Sequence, residues 1–245
     1  MQVYLLEEGL ELWDATIKST PAPPPQDLLE LVPFIFPVAE IGSETLRKVL
    51  EVIESYIILA PREMMIHYRD PLFMVFASLI GDLKTEPNRV VTGAVEMALR
   101  AVGDNEEAVQ EIVKSMLESG FLPKIFQGIH GNWEARQTTG PKKKYSKVDA
   151  LVLTNYLQVL SRIVLGSTRV IVGVVEYIGQ RTGEGFETTI GWLLDEWFHH
   201  VRKELPYWVH PLRYRPKISN LSVYVLLMYN GYLVWQHGLS KNPKT

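Results

Sequence analysis

The stretch LLELVPFIFPVAE, residues 28–40, has the apolar spacing of a helix but contains Pro33 and Pro37, four residues apart. A proline in a helix interior removes one backbone hydrogen bond and costs on the order of 3 kcal/mol. The pair therefore predicts a helix kinked toward one side, or two short helical turns broken near Pro33. Such a segment is tolerated where it packs against helices of two adjacent repeats.

The rest of the chain repeats one pattern, an amphipathic segment of about 12–20 residues followed by a short turn. In SETLRKVLEVIESYIILAP, residues 43–61, the apolar side chains share one helical face. The segments at 88–103, 104–120 and 147–166 have similar stripes, and each ends in glycine. TRVIVGVVEYIG, residues 168–179, is rich in β-branched residues, but its neighbours favour a helix. The sequence therefore predicts an all-α protein.

Alternate segments begin at regular intervals. Asp27 and Pro71 are 44 residues apart, and Ser43 and Glu86 are 43 residues apart. This spacing matches the period of about 40–47 residues of paired-helix HEAT or armadillo repeats, and not the period of about 34 of tetratricopeptide repeats. Short connections and similar helix lengths favour an α-solenoid of about five helical pairs over a compact bundle. We expect residues 1–245 to form one such array.

Composition and charge narrow the class of protein. Hydrophobic residues make up 47% and charged residues 22% of the chain, which is typical of an ordered soluble protein. The net charge of −3 does not by itself indicate a nucleic-acid or membrane partner. Cysteine is absent, which excludes disulfides and thiolate metal sites and fits a reducing compartment. No apolar stretch reaches about 18 residues without a charge or breaker, so we predict no membrane span.

The acidic residues are the best organised candidates for binding a partner. They lie on segments that the repeat spacing makes second helices, which line the concave side of a solenoid. Carboxylates stacked there suit a basic protein partner, whereas the alternative is that they are ordinary solubilising helix faces. The set comprises Asp27, Glu30, Glu40, Asp104, Glu106, Glu107, Glu111 and Glu118.

A basic segment interrupts the helical pattern at RQTTGPKKKYSK, residues 136–147. It has a Gly-Pro break and only one apolar residue, so the sequence predicts a flexible, exposed loop inserted between two helices. Such a loop binds an acidic partner or phosphate, or it is simply solvated. Its basic residues are Arg136, Lys142, Lys143, Lys144 and Lys147.

The motif DEWFHH, residues 195–200, is the best candidate for a metal site. Glu196 and His199 have i,i+3 spacing, and His200 follows. A di-iron carboxylate site needs a second such motif and two further glutamates on facing helices. The chain has one copy and also lacks a phosphate-binding loop or a nucleophile elbow. We therefore expect no metal, cofactor or catalytic residue, with a helical enzyme using this motif as the alternative.

Three stretches of the chain resemble the importin-β superfamily of nuclear transport receptors, and most closely the C-terminal part of its importin-11 branch. They are EEGLELWDATIKSTP at residues 7–21, the segment LLELVPFIFPVAEIGSETLRKVLEVIESYIILAP at residues 28–61, and LFMVFASLIGDLKTEP at residues 72–87. The resemblance implies a right-handed superhelix of HEAT repeats and a chain that is the C-terminal piece of a longer receptor. It also implies a monomer that carries protein cargo from cytoplasm to nucleus.

The resemblance further implies a set of partners. Receptors of this superfamily contact Phe-Gly nucleoporins and release cargo on binding the GTP form of the small GTPase Ran. Their Ran surface lies in N-terminal repeats that nothing here matches, so no Ran-contact residue is assigned. Cargo contact on the concave face and Phe-Gly contact between outer helices are expected, with no direct contact to nucleic acid. The alternative is a HEAT scaffold or adaptor unrelated to nuclear transport.

Overall fold

Helices account for every regular element that the structure describes. The structure is a computed structural model, and it describes residues 2–39, 43–80, 85–103, 105–138 and 148–208. The predicted all-α fold is confirmed over these ranges. The helices are α1 (Gln2–Ser19), α2 (Gln26–Leu29), a 3₁₀ turn (Val32–Phe34), α3 (Ile35–Ala39), α4 (Ser43–Leu59), α5 (Pro61–His67), α6 (Arg69–Leu79), α7 (Thr85–Ala101), α8 (Glu106–Glu118), α9 (Phe121–Gln137), α10 (Ala150–Gly166), α11 (Thr168–Thr182) and α12 (Gly185–Trp208).

The chain divides into two compact units between Ile125 and Phe126, within α9. Two layers of helices build the first unit. In the first-helix layer α1, α4 and α7 pack side by side, and in the second-helix layer α3, α6 and α8 do so. The first-layer helices begin at residues 2, 43 and 85, so equivalent helices are 41 and 42 residues apart. This spacing lies in the range of HEAT repeats.

The proline-containing stretch forms two short helical pieces, as predicted, with the break at residues 30–31, just before Pro33. Helix α2 ends at Leu29, and the next piece begins at Val32 with Pro33 as its second residue. In a continuous helix the backbone N–H at position 33 would donate to the carbonyl of Leu29, but proline has none. The hydroxyl of Tyr68 donates to this carbonyl instead, at 3.0 Å. The cost of the break is thus offset by a side chain from outside the stretch.

Tyr56 ties this broken segment to the first-helix layer. Its hydroxyl donates to the carbonyl of Leu28 at 2.8 Å and accepts the indole N–H of Trp13 at 2.8 Å. The two rings also meet edge to face, with centroids 6.3 Å apart. Burial raises the pKa of Tyr56, which keeps the hydroxyl protonated as a donor. One fully buried side chain on α4 therefore joins α1, α2 and α4.

An aspartate–serine hydrogen bond recurs between neighbouring helices of the first unit. The hydroxyl of Ser55 on α4 donates to Asp14 on α1 at 2.6 Å, in the first-helix layer. The hydroxyl of Ser115 on α8 donates to Asp70 on α6 at 2.5 Å, in the second-helix layer. The Ser115 hydrogen bond is the largest cause holding the pKa of Asp70 below its ordinary value. Each bond fixes the register of two adjacent helices.

The second unit contains the end of α9 with α10, α11 and α12, and α11 packs against both α10 and α12. Helix α11 covers the β-branched stretch at 168–179, so the prediction of a helix there is confirmed. Ser167 caps it by accepting the backbone N–H of Val170 at 3.2 Å, and Gly183 ends it with φ of +78°. Four β-branched residues bury one face, Ile171, Val174, Val175 and Ile178.

The structure corrects the predicted start of the basic loop. Arg136 lies in the last turn of α9, which continues to Gln137. Its guanidinium donates to Glu196 on α12 at 3.0 Å, so the side chain has a structural partner that local sequence does not reveal. Residues 139–147 lie outside the described residues. Helix α8 is capped by Asn105, whose side chain accepts the N–H of Ala108 at 3.1 Å.

Substituting Tyr56→Phe tests the role of its hydroxyl. The change leaves a buried carbonyl and an indole N–H without this partner, so the free energy of unfolding of the first unit falls by about 1–3 kcal/mol. Urea unfolding followed by circular dichroism measures the loss. Tyr177→Phe, at a side chain that is 40% exposed, is the matched control and costs less than about 0.5 kcal/mol. Equal effects of the two changes would contradict this role for Tyr56.

Substituting Asp70→Asn tests the second aspartate–serine bond. Because the pKa of Asp70 is lowered in the folded state, its charge stabilises the fold above the ordinary pKa of about 3.9. That contribution is lost as the pH falls through the lower folded value. The variant should lose less than about 1 kcal/mol at pH 7, since the carboxylate is exposed.

The comparison of wild type and variant by urea unfolding from pH 7 downward checks this pH dependence. The difference in free energy of unfolding should shrink toward zero in acid. Asp27→Asn, at an exposed aspartate of α2, is the control for the loss of one surface carboxylate. A wild-type advantage that grows as the pH falls would have the wrong sign.

Candidate protein-binding site

The acidic residues fall into two groups on the first unit. Asp27 lies in α2 and Glu30 follows its last residue, and both side chains are exposed. The other group belongs to α8. Glu40 and Asp104 lie outside the described residues. The α8 members Glu106, Glu107, Glu111 and Glu118 are also exposed.

The two acidic groups are separated by α6 in the second-helix layer. Helix α3 packs against α6, and α6 packs against α8. Where α6 packs against α8, Arg69 on α6 forms an ion pair with Glu111 at 3.2 Å. The Glu111 side chain remains 53% exposed. Of the described acidic residues, those of α8 lie in the second-helix layer, whereas Asp27 and Glu30 lie at α2 in a repeat that is not adjacent. That the two groups form one concave stripe stays a prediction.

Helix α8 presents its carboxylates on one side because its apolar residues bury the other. Val109, Ile112, Val113 and Met116 are buried. The outward stripe contains Glu107, Glu111, Lys114 and Glu118, at spacings of four, three and four residues. Glu106 and Glu107 lie in the first turn, where a negative charge also stabilises the helix dipole. The carboxylates of Glu106 and Glu107 therefore also stabilise the N-terminal end of α8.

A cleft of about 480 Å³ lies beside this stripe, between α6 and α8. Met74 is its exposed apolar side chain, with 66% of the residue accessible. Lys124 donates to the backbone carbonyl of Ala77 at 2.6 Å, which fixes the ammonium at the wall of the cleft. Sequence reasoning missed this cleft, although an isolated methionine on the exposed face of α6 is a signal for it. The lining residues are Asp70, Met74, Ala77, Ser78, Ser115, Glu118, Ser119 and Lys124.

Arg136 is the member of the basic set that the structure describes, and it binds residues of the second unit. Its guanidinium bonds both Asp195 and Glu196, and Glu196 is almost fully buried. Asp195 also accepts the indole N–H of Trp133 at 3.0 Å. Hydrogen bonds to both carboxylates together raise the pKa of Arg136, although desolvation is the largest single influence and acts to lower it. Lys142, Lys143, Lys144 and Lys147 lie outside the described residues.

The residues of the candidate metal motif do not share a common contact. Glu196 binds Arg136, the His200 ring nitrogen lies 2.8 Å from the Thr154 hydroxyl, and His199 is exposed. Among the described residues no group of three or more histidine, aspartate or glutamate side chains is arranged to hold a metal ion. The described helices also include none that is both long and apolar enough to span a membrane.

Comparison with known proteins places the chain among transport-receptor sequences. The family model described as importin-11-like, TPR repeats, matches residues 1–204. Human Importin-11 is 28% identical over 195 residues, and mouse Importin-11 is 27% identical over the same length. The match covers 80% of this chain but only 18% of each relative. No solved structure matches.

The family description refers to TPR repeats, whereas equivalent helices in the first unit are 41 and 42 residues apart. That spacing is longer than the 34 residues of a tetratricopeptide repeat and agrees with HEAT repeats. The proline-broken segment and the tryptophan-bearing helix before it both lie within the matched region. The helical pairs and the match over residues 1–204 together lead to one assignment: the chain belongs to the importin-11-like family of importin-β-type nuclear transport receptors.

Proposed function

We propose that this chain is the cargo-binding part of a nuclear import receptor and that α8 contacts a basic region of the protein cargo. The observation that carries the proposal is the row of outward carboxylates on α8, in a chain that belongs to the importin-11-like family. The function is binding rather than catalysis. The whole receptor then shuttles between cytoplasm and nucleus.

The physical basis of the proposed contact is electrostatic. The carboxylates of α8 are exposed, so binding to lysine or arginine side chains requires no large desolvation. Their attraction extends over a Debye length of about 8–10 Å at physiological salt. Complementary charge mainly raises the association rate and selects basic partners over acidic ones. A helix that also packs on α6 presents these charges on a rigid support.

Phe-Gly nucleoporins are the second class of partner in this proposal. Helices of the first-helix layer carry exposed apolar side chains, Leu5 and Leu12 on α1 and Ile58 on α4, each at least 65% accessible. Phenylalanine side chains of such repeats would bind against them. Ran-GTP would bind N-terminal repeats outside this chain, and the receptor would act as a monomer.

The triple change Glu106→Gln, Glu107→Gln and Glu111→Gln in the full-length natural protein tests the cargo contact. We expect binding of a labelled domain fused to a lysine-rich segment to weaken about fivefold or more at 0.1 M salt. The expected loss of affinity includes the effect of the Arg69 charge, because Glu111→Gln removes the ion-pair partner of Arg69. Fluorescence anisotropy measures the dissociation constant.

The matched control replaces Glu7, Glu8 and Glu63 by glutamine, which removes the same charge from α1 and α5. This control should bind the lysine-rich probe like the wild type, because its charges lie outside α8. Unchanged affinity of the α8 triple variant at low salt, where electrostatic contacts are strongest, would contradict the proposal.

The alternative of a scaffold unrelated to transport makes a different prediction. As a receptor, the full-length natural protein should capture both a Phe-Gly repeat fragment and the GTP form of Ran in a pull-down from purified components. Capture should be lost when phenylalanine is replaced by serine in the repeats or when GDP replaces GTP. Failure to capture either component would favour the scaffold.

A further inference from the structure

The second unit has a cleft that the proposed cargo contact does not use. We call it the turn cleft because it lies between α11, the turn that follows it and the start of α12. Its volume is about 510 Å³, within the range of about 300–1,000 Å³ typical of sites that enclose a ligand group. The lining residues are Val172, Glu176, Glu184, Gly185, Phe186, Glu187 and Thr188.

The wall of the turn cleft is held in place by backbone packing. Gly185 has φ of +77°, a left-handed conformation that favours glycine. A Cβ added at Gly179 on α11 would lie 2.5 Å from the carbonyl oxygen of Gly185, so the turn rests directly on the helix. Only glycine at position 179 permits this approach. The shape of the cleft is therefore fixed before any partner arrives, which lowers the entropic cost of binding.

Glu184 lines the turn cleft and contacts side chains of α12 and α9. Its carboxylate accepts the indole N–H of Trp192 at 3.0 Å, and its other oxygen lies 3.5 Å from the His130 ring nitrogen. The His130 ring in turn contacts the buried Trp192 ring, with centroids 4.8 Å apart. These contacts tie the turn to α12 and α9 within the second unit. Glu184 is thus already engaged inside the protein.

Glu176 and Glu187 differ from Glu184 because both are exposed. Within the described residues neither carboxylate forms an ion pair or a hydrogen bond. Between them the cleft offers apolar contact, since Val172 is 44% exposed and Phe186 is half-buried. The cleft therefore combines an apolar wall with two exposed carboxylates, of which Glu187 also lies in the first turn of α12.

We propose that the turn cleft binds a basic peptide segment of a protein partner, with lysine or arginine side chains at Glu176 and Glu187. An aliphatic side chain of the same segment would bury Val172 and Phe186. Charge complementarity selects the basic residues, and the exposed valine favours an apolar residue between them. The volume accommodates a few side chains rather than a folded domain. This site goes beyond the proposed cargo contact, because it lies in the other unit and shares no residue with α8.

The test uses the whole 245-residue chain and a fluorescent synthetic peptide, Ala-Lys-Arg-Leu-Lys-Arg-Ala, in anisotropy measurements. Glu176→Gln with Glu187→Gln should weaken binding about five- to tenfold, because two exposed charge pairs are lost. Both side chains are exposed, so the thermal unfolding of the variant should match that of the wild type. Val172→Ser should weaken binding about threefold, and a peptide with serine for leucine should lose the same factor.

Glu7→Gln with Glu8→Gln on α1 is the matched control, because it removes the same number of carboxylates from a helix to which neither basic contact is assigned. Wild-type affinity of this control, together with loss in the cleft variant, supports the proposal even if the cargo contact on α8 proves wrong. No peptide binding by wild type would overturn it. An equal loss in the α1 control, or no effect of the leucine, would also overturn it, because either result would show general charge attraction rather than binding in the cleft.

Discussion

The hydrogen bonds of Tyr56 are the interaction on which the first unit depends. Pro33 breaks the segment that should be a second helix, and a broken helix has backbone carbonyls that need other donors. The hydroxyl of Tyr56 supplies one to Leu28 while it accepts from Trp13, and Tyr68 supplies another to Leu29. The break is thus stabilised by helices α1, α4 and the α5–α6 connection. The same contacts place α3 where α6, and then α8, can pack in one layer.

The sequence was enough to predict features whose cause is local. The apolar stripe of α4 follows from periodicity, the break next to Pro33 from the missing proline N–H, and the helical state of the β-branched α11 from its helical neighbours. The spacing of alternate segments predicted paired helices of HEAT length. Partners distant in sequence could not be predicted. Tyr56 is 28 residues from Leu28, and Arg136 is 60 residues from the buried Glu196 to which it donates a hydrogen bond.

The candidate sites could likewise be predicted from the sequence only in part. Outward carboxylates on α8 follow from its amphipathic pattern, but the ion pair of Glu111 with Arg69 depends on the packing of α6. The turn cleft has no motif at all. It results from the approach of Gly185 to Gly179, and a helical glycine in a sequence gives no indication of what packs against it. Acidic residues thus have at least three roles: helix termini, internal ion pairs and exposed carboxylates that remain for a partner.

Carboxyl footprinting of the full-length natural protein, with and without a bound protein cargo, tests the central claim most directly. The measurement modifies exposed glutamates chemically and locates them by mass spectrometry. The account predicts that cargo protects Glu107, Glu111 and Glu118 on α8, while the exposed Glu8 on α1 reacts equally in both states. Protection confined to residues outside α8, with the α8 glutamates reacting at the same rate, would contradict it.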